Sequence, residues 1–427
     1  MYESERQHLH RLLDAAIAAA QPAKVLPPFL PDPLPGGKVI VVGAGKAAAG
    51  MAQATERYYA SLAAEGRLVG EVATRHGYAL PAGIIAIAEA GHPVPDAESE
   101  KAAQRALELV ASAGPNDTIV VLLSGGASAI WSAPVIGLTL ADKQAVTQAL
   151  LKSGSRIHDI NCVRKHLSRI KGGKLAAAAR GRRLVTLAIS DVPGDFSDVI
   201  GSGPTVPDRS SLAEARAIVA PLRAQIPTSV LAVLEGRPDE TPNPDDRAAA
   251  AGNYHIVAAP AMSLAAAKLE AERMGYPVEV LGDALEGEAR DIARDHAELV
   301  LAKSKPGTKL ALLSGGELTV TVTGQGTGGP NQEYVLALAI ALNGAGGISA
   351  IAADTDGTDG GQGAAEDPTG AEVFPDTIAR AKAICIDPMA HLENNDSTGF
   401  FRSLDDLVTT GPTQTNVNDF RAILIDR

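Results

Sequence analysis

The segment Ile351-Ala-Ala-Asp354-Thr-Asp356-Gly-Thr-Asp359-Gly-Gly361 sets three carboxylates close together after a short apolar run. Hard oxygen donors at that density are what Mg²⁺ takes. A second cluster has the opposite sign: residues 161 to 190 carry eight Lys or Arg and no Asp or Glu, in a chain of formal net charge -12. A cationic run in an acidic protein predicts a dedicated anion site. Within it, Asn161 to Lys174 reads as a helix stopped by Gly172-Gly173, which puts Arg164 and Lys171, seven apart, on one face. A metal and an anionic substrate suit the two segments together.

Glycine turns follow two of the apolar strands. Gly43-Ala44-Gly45-Lys46 ends the strand Lys38–Val42 and opens an Ala-rich helix, so backbone N–H groups are expected to face an anion there, with Lys46 beside it. Neither standard fingerprint fits: GxGxxG needs its third glycine where Ala48 stands, and GxxxxGK[ST] is absent. The competing reading is a tight turn with a solvated lysine. Ser124-Gly125-Gly126-Ala127-Ser128 offers two hydroxyls and open backbone at another strand end, a cradle for phosphate or carboxylate. The run Leu-Leu-Ser-Gly-Gly recurs at 312 to 316, where Ser314, Gly315 and Gly316 are read as a second strand-ending turn. Asp191 follows the strand Arg183–Ile189 and precedes Pro193-Gly194, an arrangement that suits a base accepting a hydroxyl proton. An Asx-turn is the plainer role. His158, Cys162 and His166 share one helix face, but one helix cannot close a tetrahedral zinc site, so packing is expected.

The elements that must position these groups alternate. Apolar strands at 38–42, 117–123 and 183–189, and again at 254–258, 277–281, 309–313 and 348–353, are separated by helical stretches over most of the chain. That rhythm predicts an α/β fold of two domains, each a largely parallel, Rossmann-like sheet flanked by helices. Residues 1–240 form the expected N-terminal domain, 241–253 a Pro/Asp/Asn/Ala linker and 254–427 the C-terminal domain; 427 residues suffice for two or three cores. The acidic balance and 3% aromatic content argue against a nucleic-acid partner. Two distant cysteines, no transmembrane-length apolar run and a polar start lead to the expectation of a soluble cytoplasmic protein without membrane association. Homo-oligomerisation is left open.

Asp354-Thr-Asp356-Gly-Thr358 also matches the DxDGT of haloacid dehalogenase-type phosphatases, but only 73 residues follow Asp354, too few for that sheet. A broader resemblance covers nearly the whole chain. Gly43-Ala-Gly45-Lys46, Gly91-His-Pro-Val-Pro-Asp96, Leu123-Ser-Gly-Gly126, Arg164 to Gly173, Ser190-Asp-Val-Pro-Gly-Asp195 and Gly201-Ser-Gly-Pro204 resemble, in order, the class II glycerate kinases. Leu312–Glu317, Asn331-Gln-Glu333, Thr355–Gly360 and Thr410–Asn418 resemble that family's leucine-rich C-terminal region, about 305–420. The resemblance implies ATP-dependent phosphorylation of D-glycerate at the 2-hydroxyl, with Mg²⁺, in a cleft between two domains. It implies Lys46 and Asp191 at the reacting centre. It further implies the Ser-Gly-Gly turns near bound anions, so Gly43, Gly45, Ser124, Gly125, Gly126, Ser128, Arg164, Lys171, Ser314, Gly315, Gly316, Glu317 and Asn331 are expected around substrate and nucleotide, and, from the carboxylate spacing itself, Asp354, Asp356 and Asp359 at metal. Pro330 stands where many members carry an arginine. Relatives associated with tartrate utilisation are named hydroxypyruvate reductases, so NAD(P)H-dependent reduction is the alternative.

Overall fold

A computed structural model of the chain describes residues 2–81, 83–236, 240–243, 253–361 and 363–427. It divides into two compact units, residues 22–257 and residues 1–21 with 258–427. The expected boundaries shift for physical reasons. Helix α1 (Glu3–Ala19) buries Leu9, Leu12 and Leu13 against Leu264, Phe420 and Leu424 of the second unit. Each such side chain taken from water is worth roughly 1.5–3 kcal/mol, enough to fix the helix there. Conversely, the strand expected to open the C-terminal domain completes the sheet of the first unit. Of the expected linker, residues 244–252 lie outside the described residues.

The unit of residues 22–257 is built on β1 (Val39–Ala44), β2 (Leu68–Arg75), β3 (Ile85–Ala90), β4 (Thr118–Leu123), β5 (Arg183–Ile189) and β6 (Asn253–Ala258), in the spatial order β3-β2-β1-β4-β5-β6. The ladders from β3 through β5 are parallel. Every residue of β1 and β4 is buried, the unbroken apolar pattern that a parallel sheet covered on both faces requires. Helix α2 (Ala48–Tyr58) follows β1, and α3 (Ala97–Ala111) follows β3. Ala102, Ala103, Ala106 and Val110 of α3 pack on Ile40, Val42, Ile119 and Val121 of the sheet. The order reverses direction between β1 and β4, a switch point where loops splay apart and leave a crevice outside the carboxyl ends. Farther along lie α4 (Leu140–Lys152) and α5 (Ile157–His166).

The second unit holds β7 (Val278–Glu288), β8 (Lys309–Thr319), β9 (Ile348–Asp354), β10 (Gly370–Val373), β11 (Leu407–Val408) and β12 (Asp419–Asp426), ordered β11-β10-β9-β12-β8-β7. Four of these strands run the same way, but β10 and β12 run against them and are interleaved. Only β7–β8 is therefore a parallel ladder. The α/β class holds, with a mixed sheet in this unit where a largely parallel one was expected. Alternate residues of the central strands face opposite cores: Leu313, Ile351, Ala353, Phe420 and Ala422 meet α1, while Leu312, Ala350, Ala352 and Ile423 meet α6 (Pro330–Leu342) and its neighbours.

Candidate active site

Five strands of the first sheet deliver their following loops to one edge. Register sets Ala44 level with Ala73 and Leu123, Leu123 level with Ala188, and Ala73 level with Ala88. Gly45-Lys46 after β1, Ser124–Gly126 after β4, Ser190-Asp191 after β5 and Gly91-His92 after β3 consequently leave the same carboxyl edge, on both sides of the switch point. The turns after β1 and β4 are in backbone contact. Lys46 N–H donates to Gly125 O at 2.8 Å, and Ala47 N–H to Ser124 Oγ at 3.0 Å. Gly45 has φ +136°, and a Cβ there would lie 2.6 Å from the Ser124 carbonyl oxygen. Only glycine permits that approach. Gly126, at φ +81°, is pinched by two side chains: an added Cβ would lie 2.9 Å from the His92 ring and 3.4 Å from Lys46 Cγ.

The expected backbone cradle at the first turn does not form. Gly45 N–H donates to Ala73 O, Lys46 N–H to Gly125 O, Ala47 N–H to Ser124 Oγ and Ala48 N–H to Gly45 O. These donors are used in tying the strand ends together, so what the turn offers an anion is the Lys46 side chain. His92, with no assigned role in the sequence reading, lies against the same glycine; the only signal was the Gly91–Asp96 block itself.

Cations gather behind this edge. Lys171 Nζ donates to Ser128 O at 2.8 Å and Arg164 Nη2 to the same oxygen at 3.3 Å. The two residues do converge, but not by helical spacing: α5 ends at His166, and Lys171 stands in the turn beyond it. A third cation, Lys143 of α4, donates to Ser132 Oγ at 3.3 Å. Lys143 and Lys171 are only 6% and 2% exposed, and neither they nor Arg164 has a carboxylate within ion-pair distance among the described residues. Burial, reinforced by the Arg164 charge, pulls the Lys143 ammonium down to about 7. Burial likewise takes Lys171 well below the usual lysine range, with Arg164 and Lys143 adding to the effect. Lys143 carried no sequence signal, because a lysine following Asp142 in a Thr139-capped helix reads as surface. A cavity of about 370 Å³ opens beside the group, bounded by Pro93, Val94, Ser128, Ser132, Lys143 and Arg164. His166 N–Hδ1 and the Cys162 carbonyl meet at 2.9 Å, an intrahelical contact in keeping with the packing role expected there.

The C-terminal candidates fall out differently. Ser314, Gly315, Gly316 and Glu317 do not end a strand; they lie within β8, where Gly315 pairs with Phe420 and Gly316 with Asp419 of β12. The glycines serve packing, since a Cβ at Gly316 would collide with the Leu285 backbone across a bulge in β7. Arg421, buried and paired with Asp419, donates to the Gly315 carbonyl at 3.0 Å. Glu317 is exposed.

Asp359 is no open metal ligand. Its carboxylate accepts the backbone N–H of Asn331 at 3.0 Å and of Gln332 at 2.8 Å, plus both side-chain amides, at the N-terminus of α6. Two free N–H groups and the positive helix end attract a carboxylate. Burial nevertheless pushes its acid form up to about 7, with Asp419 adding repulsion. Asn331 is buried and also donates to Asp419 Oδ1 at 2.7 Å. Pro330 occupies the first turn of α6, where its fixed φ suits the helix and no N–H is missed. Asp354 Oδ1 accepts the Asp356 N–H at 2.9 Å, and Asp356 Oδ1 accepts from both Thr358 N–H and Oγ–H. The three carboxylates thus organise their own loop and its neighbouring helix. Among the described residues no group of three or more His, Cys, Asp or Glu is arranged to hold a metal ion, and the expected three-aspartate Mg²⁺ site does not fit this donor set. The described helices include none long and apolar enough to cross a membrane.

Comparison with known proteins covers both units. Residues 8–235 match a family model described as a domain of unknown function, DUF4147, and residues 310–419 match the MOFRL family. The chain is 49% identical over 428 residues to an Agrobacterium vitis protein provisionally named a hydroxypyruvate reductase, covering 99% of this chain and 95% of the other. It is 40% identical over 423 residues to the D-glycerate 2-kinase of Thermotoga maritima, covering 98% and 97%. The crystal structure of a Thermotoga maritima glycerate kinase superposes with a TM-score of 0.87 at 36% identity, covering 99% of this chain and all of that one.

Proposed function

Since the chain belongs to the glycerate kinase family that joins a DUF4147 segment to a MOFRL segment, we propose that it transfers the γ-phosphoryl of ATP to the 2-hydroxyl of D-glycerate. The observation that carries this reading is that Lys46, His92, Gly126 and Asp191 all leave the same carboxyl edge of one sheet, with His92 and Lys46 meeting at Gly126, backed by buried cations that have no carboxylate partner among the described residues. Phosphoryl transfer asks a protein chiefly for positioning and for positive charge near the equatorial oxygens. In this reading the 2-hydroxyl oxygen forms the new bond to γ-phosphorus as the bond to the bridging oxygen of ADP breaks. The hydroxyl proton passes to the Asp191 carboxylate. Lys46 stabilises the charge spread over the transferring group, and Arg164 and Lys171 hold anionic parts of the substrates. Mg²⁺ enters with the nucleotide as counterion of its phosphates, the usual mode for this ion.

One observation favours hydroxypyruvate reduction: the order β3-β2-β1-β4-β5-β6 is the dinucleotide-binding order. Local chemistry runs against it. The backbone N–H groups that would receive a pyrophosphate are committed within the protein, Ala48 fills the third-glycine position, and β2 ends on Arg75, whose guanidinium lies 3.7 Å over the Tyr78 ring, instead of on an acid for the ribose hydroxyls. The deciding experiment runs both assays on one preparation. ADP and 2-phosphoglycerate should form from ATP and D-glycerate, and Lys46→Ala should lower turnover roughly a thousandfold with little change in the melt. NADH or NADPH oxidation with hydroxypyruvate, without ADP formation in the first assay, would overturn the kinase reading.

A further inference from the structure

Lys143 is a costly residue where it stands. Among the described residues its buried ammonium is hydrogen-bonded to the Ser132 hydroxyl alone and flanked by like charges from Arg164, Lys171 and Arg169, with Glu100 opposing them. A folded protein keeps unpaired buried charge where a ligand completes the pair, because an apolar side chain of equal volume would otherwise be as good or better. The cavity supplies the space. Lys143, Arg164, Ser128 and Ser132 line it together with Pro93 and Val94, which follow in the chain after His92, the side chain that abuts Gly126 beside Lys46. Pro93 and Ser128 of its lining stand one and two positions along the chain from His92 and Gly126, and a small acid seated there would have its carboxylate on the cations.

We propose that this pocket is the carboxylate subsite for the acid substrate, and that Lys143 is a substrate-binding residue which, with Arg164 and the Ser128 and Ser132 hydroxyls, selects a compact carboxylate. Naming the anion as the acid's carboxylate rests on the kinase reading; the alternative source of the same oxyanion chemistry is a phosphate of the nucleotide. Binding an anion beside an ammonium that titrates near neutrality draws a proton onto it, so acid binding above neutral pH is accompanied by proton uptake at Lys143.

The test is calorimetric titration of the full-length protein with D-glycerate and, separately, with hydroxypyruvate, both without nucleotide, so that neither arm needs turnover. Losing one charge-assisted hydrogen bond predicts that Lys143→Met weakens both acids roughly ten- to a hundredfold and abolishes the proton uptake seen in buffers of different ionisation enthalpy. The Michaelis constant for D-glycerate should rise comparably and that for ATP should stay within about twofold. The ligand-free melt of Lys143→Met should equal or exceed that of the wild type, which separates lost binding from lost fold. Lys143→Arg, which keeps the charge but cannot titrate, should retain binding without proton uptake. Unchanged acid binding in Lys143→Met overturns the subsite, and a rise in the ATP constant alone reassigns the pocket to a nucleotide phosphate and overturns it equally. Acid binding that depends on Lys143 in a protein that makes no ADP would sink the kinase reading and leave the subsite standing.

Discussion

Gly126→Ala separates the cost of folding from the cost of function at a single methyl group. At φ +81° an L-residue with a Cβ is strained by roughly 1–2 kcal/mol. For a unit of this size such a loss lowers the melting temperature by roughly 2–8 °C. The steric demand falls on side chains that can yield, since the new Cβ would stand 2.9 Å from the His92 ring and 3.4 Å from Lys46 Cγ. Restoring ordinary contact requires the His92 ring to retreat by roughly 0.5–1 Å, and a displacement of that order at a reacting centre costs about a hundredfold in rate. The expected result is a folded enzyme, a few degrees less stable, with kcat/KM for D-glycerate down about two orders of magnitude. A coupled ADP assay and a thermal melt on the same samples read both quantities. A variant that kept its rate within about twofold while showing the predicted melt would refute the placement of the reacting groups around Gly126.

Two further substitutions probe the remaining assignments. Asp359→Ala strands the backbone N–H groups of Asn331 and Gln332 inside the protein, so it should destabilise by roughly 2–4 kcal/mol in urea unfolding while the Mg²⁺ dependence of turnover is unchanged; weakened Mg²⁺ dependence at unchanged stability would restore the metal reading. The Lys143 ammonium is depressed from 10.5 to about 7 on folding, so the unfolded chain binds the extra proton between those values and ligand-free stability gains from rising pH there. The stability advantage of Lys143→Met over wild type should accordingly be greatest below pH 7 and shrink toward pH 10.5; a pH-independent difference in unfolding free energy would refute the buried, titrating state.

The strands that sequence revealed best carry mainly apolar runs closed by polar or glycine turns: β1, β4, β5, β6 and β9 lie within one or two residues of where periodicity puts them. β2 and β3 escaped because Gly70, Glu71 and Glu89 break their apolar pattern toward the sheet edge. β12 reads as a strand only once its partners are known, since Arg421 and Asp419 interrupt it and both are satisfied by tertiary contacts. Identical sequence did not mean identical structure: Leu-Leu-Ser-Gly-Gly leaves the sheet after β4, yet stays in β8 because β12 and β7 pair with it on either side. The positions of Lys46 and Asp191 just past strands were legible because a strand end fixes where the next residues emerge. The surroundings of Lys143 and His92 and the hydrogen bonds of Asp359 were not, as each depends on a neighbour far away in sequence.

Helix α1 packs with β12, and all of residues 22–257 lie between them in the chain. During synthesis the helix Glu3–Ala19 emerges long before Asp419–Asp426, the strand it must cover and one that sits between β8 and β9. Residues 22–257 can fold on the ribosome as soon as they are out, whereas the surrounding unit must wait with its amphipathic first helix uncovered. Its apolar stripe is thus open to a chaperone throughout that interval, and shortening the wait by circular permutation, joining the strand directly to the helix, is a route to faster maturation.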